Sequence, residues 1–478
     1  MPFPFYLCCL ASLVLGWTAF EGRYKAWGIP MAAVLATVGT WYIGDALYND
    51  YEMYRVTIGD EALTSAWWQV LLFLIAFAGW VKLFHGWINR RLLGGRSQLM
   101  AYIEKRRFLR PDIQGMIDSF GTALFTVWGL LMVVALIQVK FNAVGLFAPY
   151  LSAKVDPWDR GQIGGGFSAV ISFASYLQIF LTSGIGVIAA LSKNPRTRGI
   201  ALGILFLAMP PYLLDRTRNT MLAVALPGML SYVLVRLRLS WPGKIVVLAM
   251  AFSLVNFWMG LVLANRSGMS FDMAGAFNSI GAAEGGTKTR HEGLNMYEEL
   301  AWIQYFSDTG AYKPNWGARY FAEMVNPIPR GLWQNKPMIG LDYAVARGQA
   351  ATGANGEVTA TISTGMIGQG VVNFGPILGP IAAAALMGLW VALLARHDLL
   401  GADPGRMLLY SIGLILTFNL GRDITLLVMY PYFFGWGLFQ LNRYYQRRKT
   451  RVNRSGGKRR SGGIPRPAPP ASARDASS

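Results

Sequence analysis

The sequence predicts an all-α polytopic integral membrane protein, and three observations carry that prediction. Of its 478 residues, 53% are hydrophobic and only 14% charged, against roughly a quarter charged in a soluble protein. Several runs of about 16–25 apolar residues are each long enough to cross ~30 Å of hydrocarbon. The 44 Lys and Arg residues fall mostly between alternate runs and in the tail, the pattern of the positive-inside rule. The net charge of +19 therefore reads as membrane orientation and not as nucleic-acid binding. The two cysteines, Cys8 and Cys9, are adjacent within the first apolar run and offer no disulfide framework.

Met1-Pro-Phe-Pro4 lacks the basic region of a signal peptide, so the first run, Phe5–Phe20, is expected to stay as a helix. Trp27–Leu47 is the second span. An acidic loop follows, with Asp50, Glu52, Asp60 and Glu61 against Arg55. Ala66–Ile88 is the third span and leads into the basic segment Arg90–Arg110. Phe120–Val139 and Phe167–Leu191 are the fourth and fifth spans. The sixth, Gly199–Leu214, is expected to break near Pro210-Pro211, where two backbone donors are missing. A tight link, Asp215–Asn219, turns into the seventh, Thr220–Val235, and the eighth is Ile245–Ala264. After a long polar interval come Phe374–Ala395, Met407–Leu420 and Ile424–Leu441. With the basic segments placed inside, these make about eleven spans. The N-terminus is then external and the C-terminus cytoplasmic.

The predicted organisation is a bundle of about eight spans in residues 1–264, a long external loop over 265–370, and about three spans in 371–441. The tail, 442–478, is basic and then rich in Gly, Ser, Pro and Ala. It has too few apolar residues to offset the entropy of ordering, and its basic part suits anionic head groups of the bilayer. No repeat suggests the inverted halves of a transporter.

The polar chemistry collects outside. In the loop, Leu294–Ser307 has Tyr297, Leu300, Ala301 and Tyr305 at helical spacing and predicts an amphipathic helix against the bundle or the membrane surface. A second short helix is expected at Trp316–Val325. Beyond it, Arg330, Trp333 and Lys336 lie in a segment stiffened by Pro327, Pro329 and Pro337. Two readings fit this trio. One is phosphate bound by the guanidinium and ammonium, with sugar against the indole. The other is an interfacial anchor.

Arg216, Arg218 and Arg422 sit at external turns, against the positive-inside bias. With Arg290, Arg330 and Lys336 they form a candidate cradle for a diphosphate. Each also has a local explanation, such as a pairing of Arg422 with Asp423. Of the three histidines, only His291 is external. It is a candidate general base, as is Glu298; a solvated loop histidine is the alternative. No Asp-x-Asp pair, P-loop, Gly-x-Ser-x-Gly or His-Glu-x-x-His is present, so the sequence points to no metal and no cofactor.

The run Ile328-Pro-Arg-Gly-Leu-Trp-Gln-Asn-Lys-Pro337, with the downstream Val372-Asn-Phe-Gly375 and Gly379, resembles the bacterial O-antigen or oligosaccharide repeat-unit polymerases of the Wzy type. Such polymerases often carry Ile-Pro-Arg-x-x-Trp-x-x-Lys-Pro late in a long periplasmic loop, and an Asn-Phe-Gly-x-x-Gly stretch that opens the next helix. The Arg216-Thr-Arg218 turn is similar to the arginine turn of the wider polymerase and ligase superfamily. This chain departs from the pattern at Gly331 and Gln334, and its basic tail is no part of it. The resemblance implies a GT-C-like bundle in the inner membrane that polymerises undecaprenyl-diphosphate-linked oligosaccharide without a metal. It also implies Trp333 and Asn373 as sugar-stacking or loop-positioning residues, and leaves room for a chain-length regulator. A ligase, or a flippase for lipid-linked oligosaccharide, is the rival expectation.

Overall fold

The computed structural model describes residues 1–92, 95–104, 110–149, 155–158, 168–213, 218–264, 295–325, 328, 332–337, 341–348, 363–401, 404–425, 428–430, 432–441 and 443–445. Among them the chain is helical, and the only strand-like pairing is a single bridge between Lys25 and Arg96. The first half contains α1 (Phe3–Glu21), α2 (Gly28–Val38), α3 (Gly44–Tyr48), α4 (Tyr51–Ile58), α5 (Asp60–Ile88), α6 (Gln98–Glu104), α7 (Pro111–Gln138) and α8 (Ala143–Phe147). A π-turn, Gly39–Ile43, joins α2 to α3. Next come α9 (Ser168–Leu191), α10 (Pro195–Leu213), α11 (Arg218–Ser231) and α12 (Trp241–Ala264). The loop helices are α13 (Met296–Asp308), α14 (Ala318–Val325) and α15 (Leu341–Ala346); α16 (Met366–Leu399) and α17 (Pro404–Leu420) follow, with helical turns again over 432–441.

Among the described residues five stretches, Phe3–Tyr24, Asp60–Ile88, Ile113–Gln138, Ala174–Leu191 and Met366–Leu399, are long and apolar enough to cross a membrane. Their outward positions carry large apolar side chains, among them Leu13, Trp17, Trp87 and Leu130, which suits lipid better than water. The most extensively packed helix pair is α5 with α16, so close that a Cβ on Gly388 would lie 2.8 Å from the Trp80 Cβ.

Some boundaries differ from those the sequence suggests. The third span starts at Asp60, not Ala66. Asp60 and Glu61 form its first turn, where carboxylates oppose the positive end of the helix dipole, and Arg55 reaches back to Asp60 at 2.7 Å. Most of the acidic loop is itself helical, as α4, with Asp50 accepting from the Glu52 amide as its cap. Pro210 and Pro211 lie near the end of α10 as expected, but the helix runs through both to Leu213.

The largest difference is in α16, where the expected start was Phe374. Helix already runs from Met366, then kinks at Gly375, whose φ of 81° and ψ of 180° are non-helical. Pro376 begins the second limb, with its fixed φ suited to a first turn. The two limbs fold back on each other. A Cβ on Gly370 would lie 2.2 Å from the Gly379 carbonyl oxygen, whereas nine residues along one straight helix span about 13 Å. The Val372-Asn-Phe-Gly375 motif therefore ends the first limb and, through the turn at Gly375, leads directly into the second. The second limb is by itself long enough to cross ~30 Å.

Helix ends gather in two groups. On one face, the Ser97 amide donates to the Tyr24 carbonyl at 2.8 Å and the Leu99 amide to Asp398 at 2.7 Å. There also Gln114 donates to Leu191 and Arg236 to Ala190 and Ser192. At the other face, Asp45 accepts from the amides of Tyr297 and Glu298, and Thr364 donates to Asp423.

A Gly379→Val change places a branched side chain against the backbone of Gly370 and Val371. It should lower stability by about 1–3 kcal/mol, read as a fall in melting temperature of the detergent-purified protein. An unchanged melting temperature would contradict the folded-back geometry.

Candidate functional site

The loop helices are held by side chains of the bundle. Helix N-termini leave orphan amides, and both main loop helices borrow caps. Asp45 of α3 accepts from the amides of Tyr297, at 2.8 Å, and Glu298, at 3.1 Å, at the start of α13. Asn373 of α16 accepts from the Tyr320 amide of α14 at 3.2 Å, and its own Nδ2 donates to the Gln369 carbonyl at 2.7 Å. Tyr297 is fully buried, stacked on Trp67 with ring centroids 4.3 Å apart. So α13 is tucked into the bundle, not laid along its surface.

The turn after α17 is stitched to the first limb of α16. The Met366 amide donates to Gly421 O at 3.0 Å. Gln369 pairs both ways with Ile424, donating to its carbonyl at 3.2 Å and accepting from its amide at 2.8 Å. Asp423 Oδ1 accepts from the Thr364 amide and hydroxyl, at 3.2 and 3.1 Å. Tyr42 Oη accepts from the Ile367 amide at 2.9 Å.

Into this frame α14 turns its charged face. Arg319 Nη2 lies 3.7 Å from Asp423 Oδ1, with side-chain exposures of 4% and 14%. Glu323, one turn on, is buried, while Phe321 and Met324 face outward. The helix is thus inverted relative to one lying on a soluble surface. Arg319 Nε and Nη1, Tyr320 Oη and Glu323 Oε2 are buried and have no hydrogen-bond partner among the described residues. Buried polar atoms are normally paired, and four orphans on one helix face call for an explanation.

Burial, helped by the nearby Asp423, raises the Glu323 carboxyl from its ordinary value of 4.5 to about 8, although Arg319 pulls the other way. Burial likewise raises the Tyr320 hydroxyl. A buried guanidinium therefore lies beside a carboxyl held protonated up to about 8, an arrangement found at acid–base sites. Among the described residues no three His, Cys, Asp or Glu side chains come close enough to share an ion.

A second polar network borders the first. Arg347 lies 3.5 Å from Glu298 and 3.4 Å from Glu299, and stacks over Trp302 at 4.3 Å. Tyr343 donates to Glu299 at 2.6 Å, and its hydroxyl also feels the charge of Arg319. Glu298, a candidate base from sequence, is therefore buried and ion-paired in this network.

The remaining sequence candidates divide. Arg422 is exposed and donates from Nε to Ser363 at 2.7 Å, while its neighbour Asp423 takes Arg319 as partner instead. Lys336 is buried and donates to the Ile328 carbonyl at 3.0 Å. Trp333 packs edge-on to Phe321 of α14 with centroids 6.4 Å apart. Trp333 thus packs against α14. Arg216, Arg290, His291 and Arg330 lie outside the described residues, as does the side chain of Arg218. Sequence reasoning missed Arg319, Tyr320 and Glu323. The available signal was an Arg and a Glu four apart on a short helix just before the proline-rich run. Comparison with models of known protein families, with curated proteins and with solved structures finds no match.

Glu323 holds its proton more tightly folded than unfolded. Its contribution to stability is therefore greatest below pH 4.5 and is lost as pH rises toward about 8. The melting temperature should fall between pH 5 and 9, and Glu323→Gln should flatten that fall. An identical slope in the variant would refute the assignment.

Proposed function

We propose that this protein polymerises undecaprenyl-diphosphate-linked oligosaccharide repeat units at the periplasmic face of the inner membrane. The proposal includes a GT-C-like bundle of about eleven spans, N-terminus periplasmic and C-terminus cytoplasmic. Two features support that frame. Helix ends alternate between two hydrogen-bonded groups along the chain, and the group at Tyr24, Ser97 and Arg236 is the one rich in Arg and Lys. The substrate class comes from the motif resemblance over Ile328–Pro337 and Val372–Gly379.

The single observation that carries the chemistry is the buried Arg319, with two unpartnered donors, next to Glu323 and Tyr320. In the proposed step, an acceptor hydroxyl oxygen bonds to the anomeric carbon of the growing chain. The bond from that carbon to the diphosphate oxygen breaks, and undecaprenyl diphosphate leaves with the electron pair. Arg319 and Tyr320 stabilise the negative charge that grows on the leaving oxygen, and a preorganised donor there needs no reorganisation during the step. Glu323 accepts the hydroxyl proton. It suits that role better than Glu298, whose carboxylate is engaged by Arg347 and Trp302. Arg422, at the rim, and Arg216, Arg218, Arg290, Arg330 and Lys336 complete the proposed diphosphate cradle, with His291 as the alternative base. Trp333, against Phe321, holds α14 in place.

Deleting the gene should leave surface glycan carrying one repeat where there had been many. Complementation with Arg319→Ala should restore about 10²–10³-fold less elongation than the parent gene, with normal membrane insertion. Loss of all attached glycan on deletion would instead indicate a ligase or a flippase. Wild-type chain length with Arg319→Ala would remove that residue from the site.

A further inference from the structure

A cavity lies among the helix ends at the basic face, away from the Asp423 turn. It has a volume of about 490 Å³ and is lined almost entirely by apolar side chains from seven parts of the chain. That is the size of an ordinary ligand pocket. Its walls follow helices inward from the basic face. Met407, Ser411 and Leu414 mark successive turns of α17, and Leu191, Ile188 and Gly184 do so on α9. Seven residues of α9 correspond to about 10 Å, so the slot reaches roughly a third of the way through ~30 Å of hydrocarbon. It is a compartment of one leaflet and not a channel.

Its mouth is cationic. Arg23 lines it, its guanidinium resting on Phe20 and Tyr24 at 4.3 and 4.7 Å and donating to the Phe20 carbonyl at 2.9 Å. Among the described residues Arg23 has no acidic partner; Glu21 is taken by Trp17 at 2.9 Å. Lys25 and Arg96, bridged through their backbones, stand exposed beside it. A dry slot with unneutralised cations at its mouth matches one amphiphile, an apolar chain ending in a phosphate.

We infer that this slot is a binding site for an anionic glycerophospholipid of the leaflet at the basic face. One acyl chain lies between α7, α9, α11 and α17, and the phosphate sits on Arg23. The lipid joins the α1–α2 corner to α6 and α17, so its binding stabilises the bundle at the end opposite the candidate site.

The test uses the full-length protein in mild detergent, with phosphatidylglycerol or phosphatidylcholine added, followed by native mass spectrometry and thermal melting. One phosphatidylglycerol should be retained and should raise the melting temperature, with phosphatidylcholine doing neither. Arg23→Gln, at the exposed rim, should lower the retained fraction about tenfold. Ser411→Phe, which fills the slot, should abolish both retention and the thermal shift. Equal retention of the two lipids would overturn the inference. So would parental retention in both variants, or displacement of phosphatidylglycerol by an equimolar polyprenyl phosphate.

Discussion

The arrangement at the candidate site depends on one buried ion pair, Arg319 with Asp423, 3.7 Å apart. Removing two charges from water costs several kcal/mol per ion, and the attraction offsets this only with further hydrogen bonds. Asp423 has them, from Thr364. Arg319 does not, since two of its nitrogens are orphaned. In the proposed function these open donors are the ones that receive the leaving diphosphate.

That fold supplies the rigidity. The first limb of α16 turns back at Gly375 and brings Thr364, Gln369 and Asn373 against the Asp423 turn and the start of α14. The break at Gly375 is itself buried in protein, and it sets Asn373 against the start of α14. Asn373 caps α14 and so fixes Arg319, Tyr320 and Glu323 on one face, while Asp45 fixes α13 in the same manner. Each borrowed cap contributes about 1 kcal/mol, but the larger effect is geometric. A site whose supporting side chains are themselves held keeps its distances.

The sequence made some of this visible and hid the rest for physical reasons. The helices α5, α7, α9 and α12 were legible because runs of eighteen or more apolar residues have few alternatives. The re-entrant limb was not. Ser363–Gly370 is short, polar and glycine-rich, and what holds it is long-range: the contact of Gly370 with Gly379 and hydrogen bonds to Tyr42 and the Asp423 turn. The periodicity of α14 was detectable, but helical spacing does not say which face turns inward, and here the charged face does. Asp423 looked like a local partner for Arg422, and its pairing with Arg319 about a hundred residues away has no local signature. The arginine cradle proposed from Arg216, Arg290 and Arg330 lies outside the described residues. The chemistry therefore rests on Arg319, which sequence reading passed over.

The most direct test of that charge is a binding measurement on purified protein with undecaprenyl diphosphate, comparing the parent with Arg319→Gln and with Arg196→Gln at the basic face. If Arg319 holds an anion, its loss should weaken binding by about tenfold or more, the effect of one charged hydrogen bond, while Arg196→Gln binds like the parent. Equal affinity in all three would show that the buried guanidinium serves the fold alone.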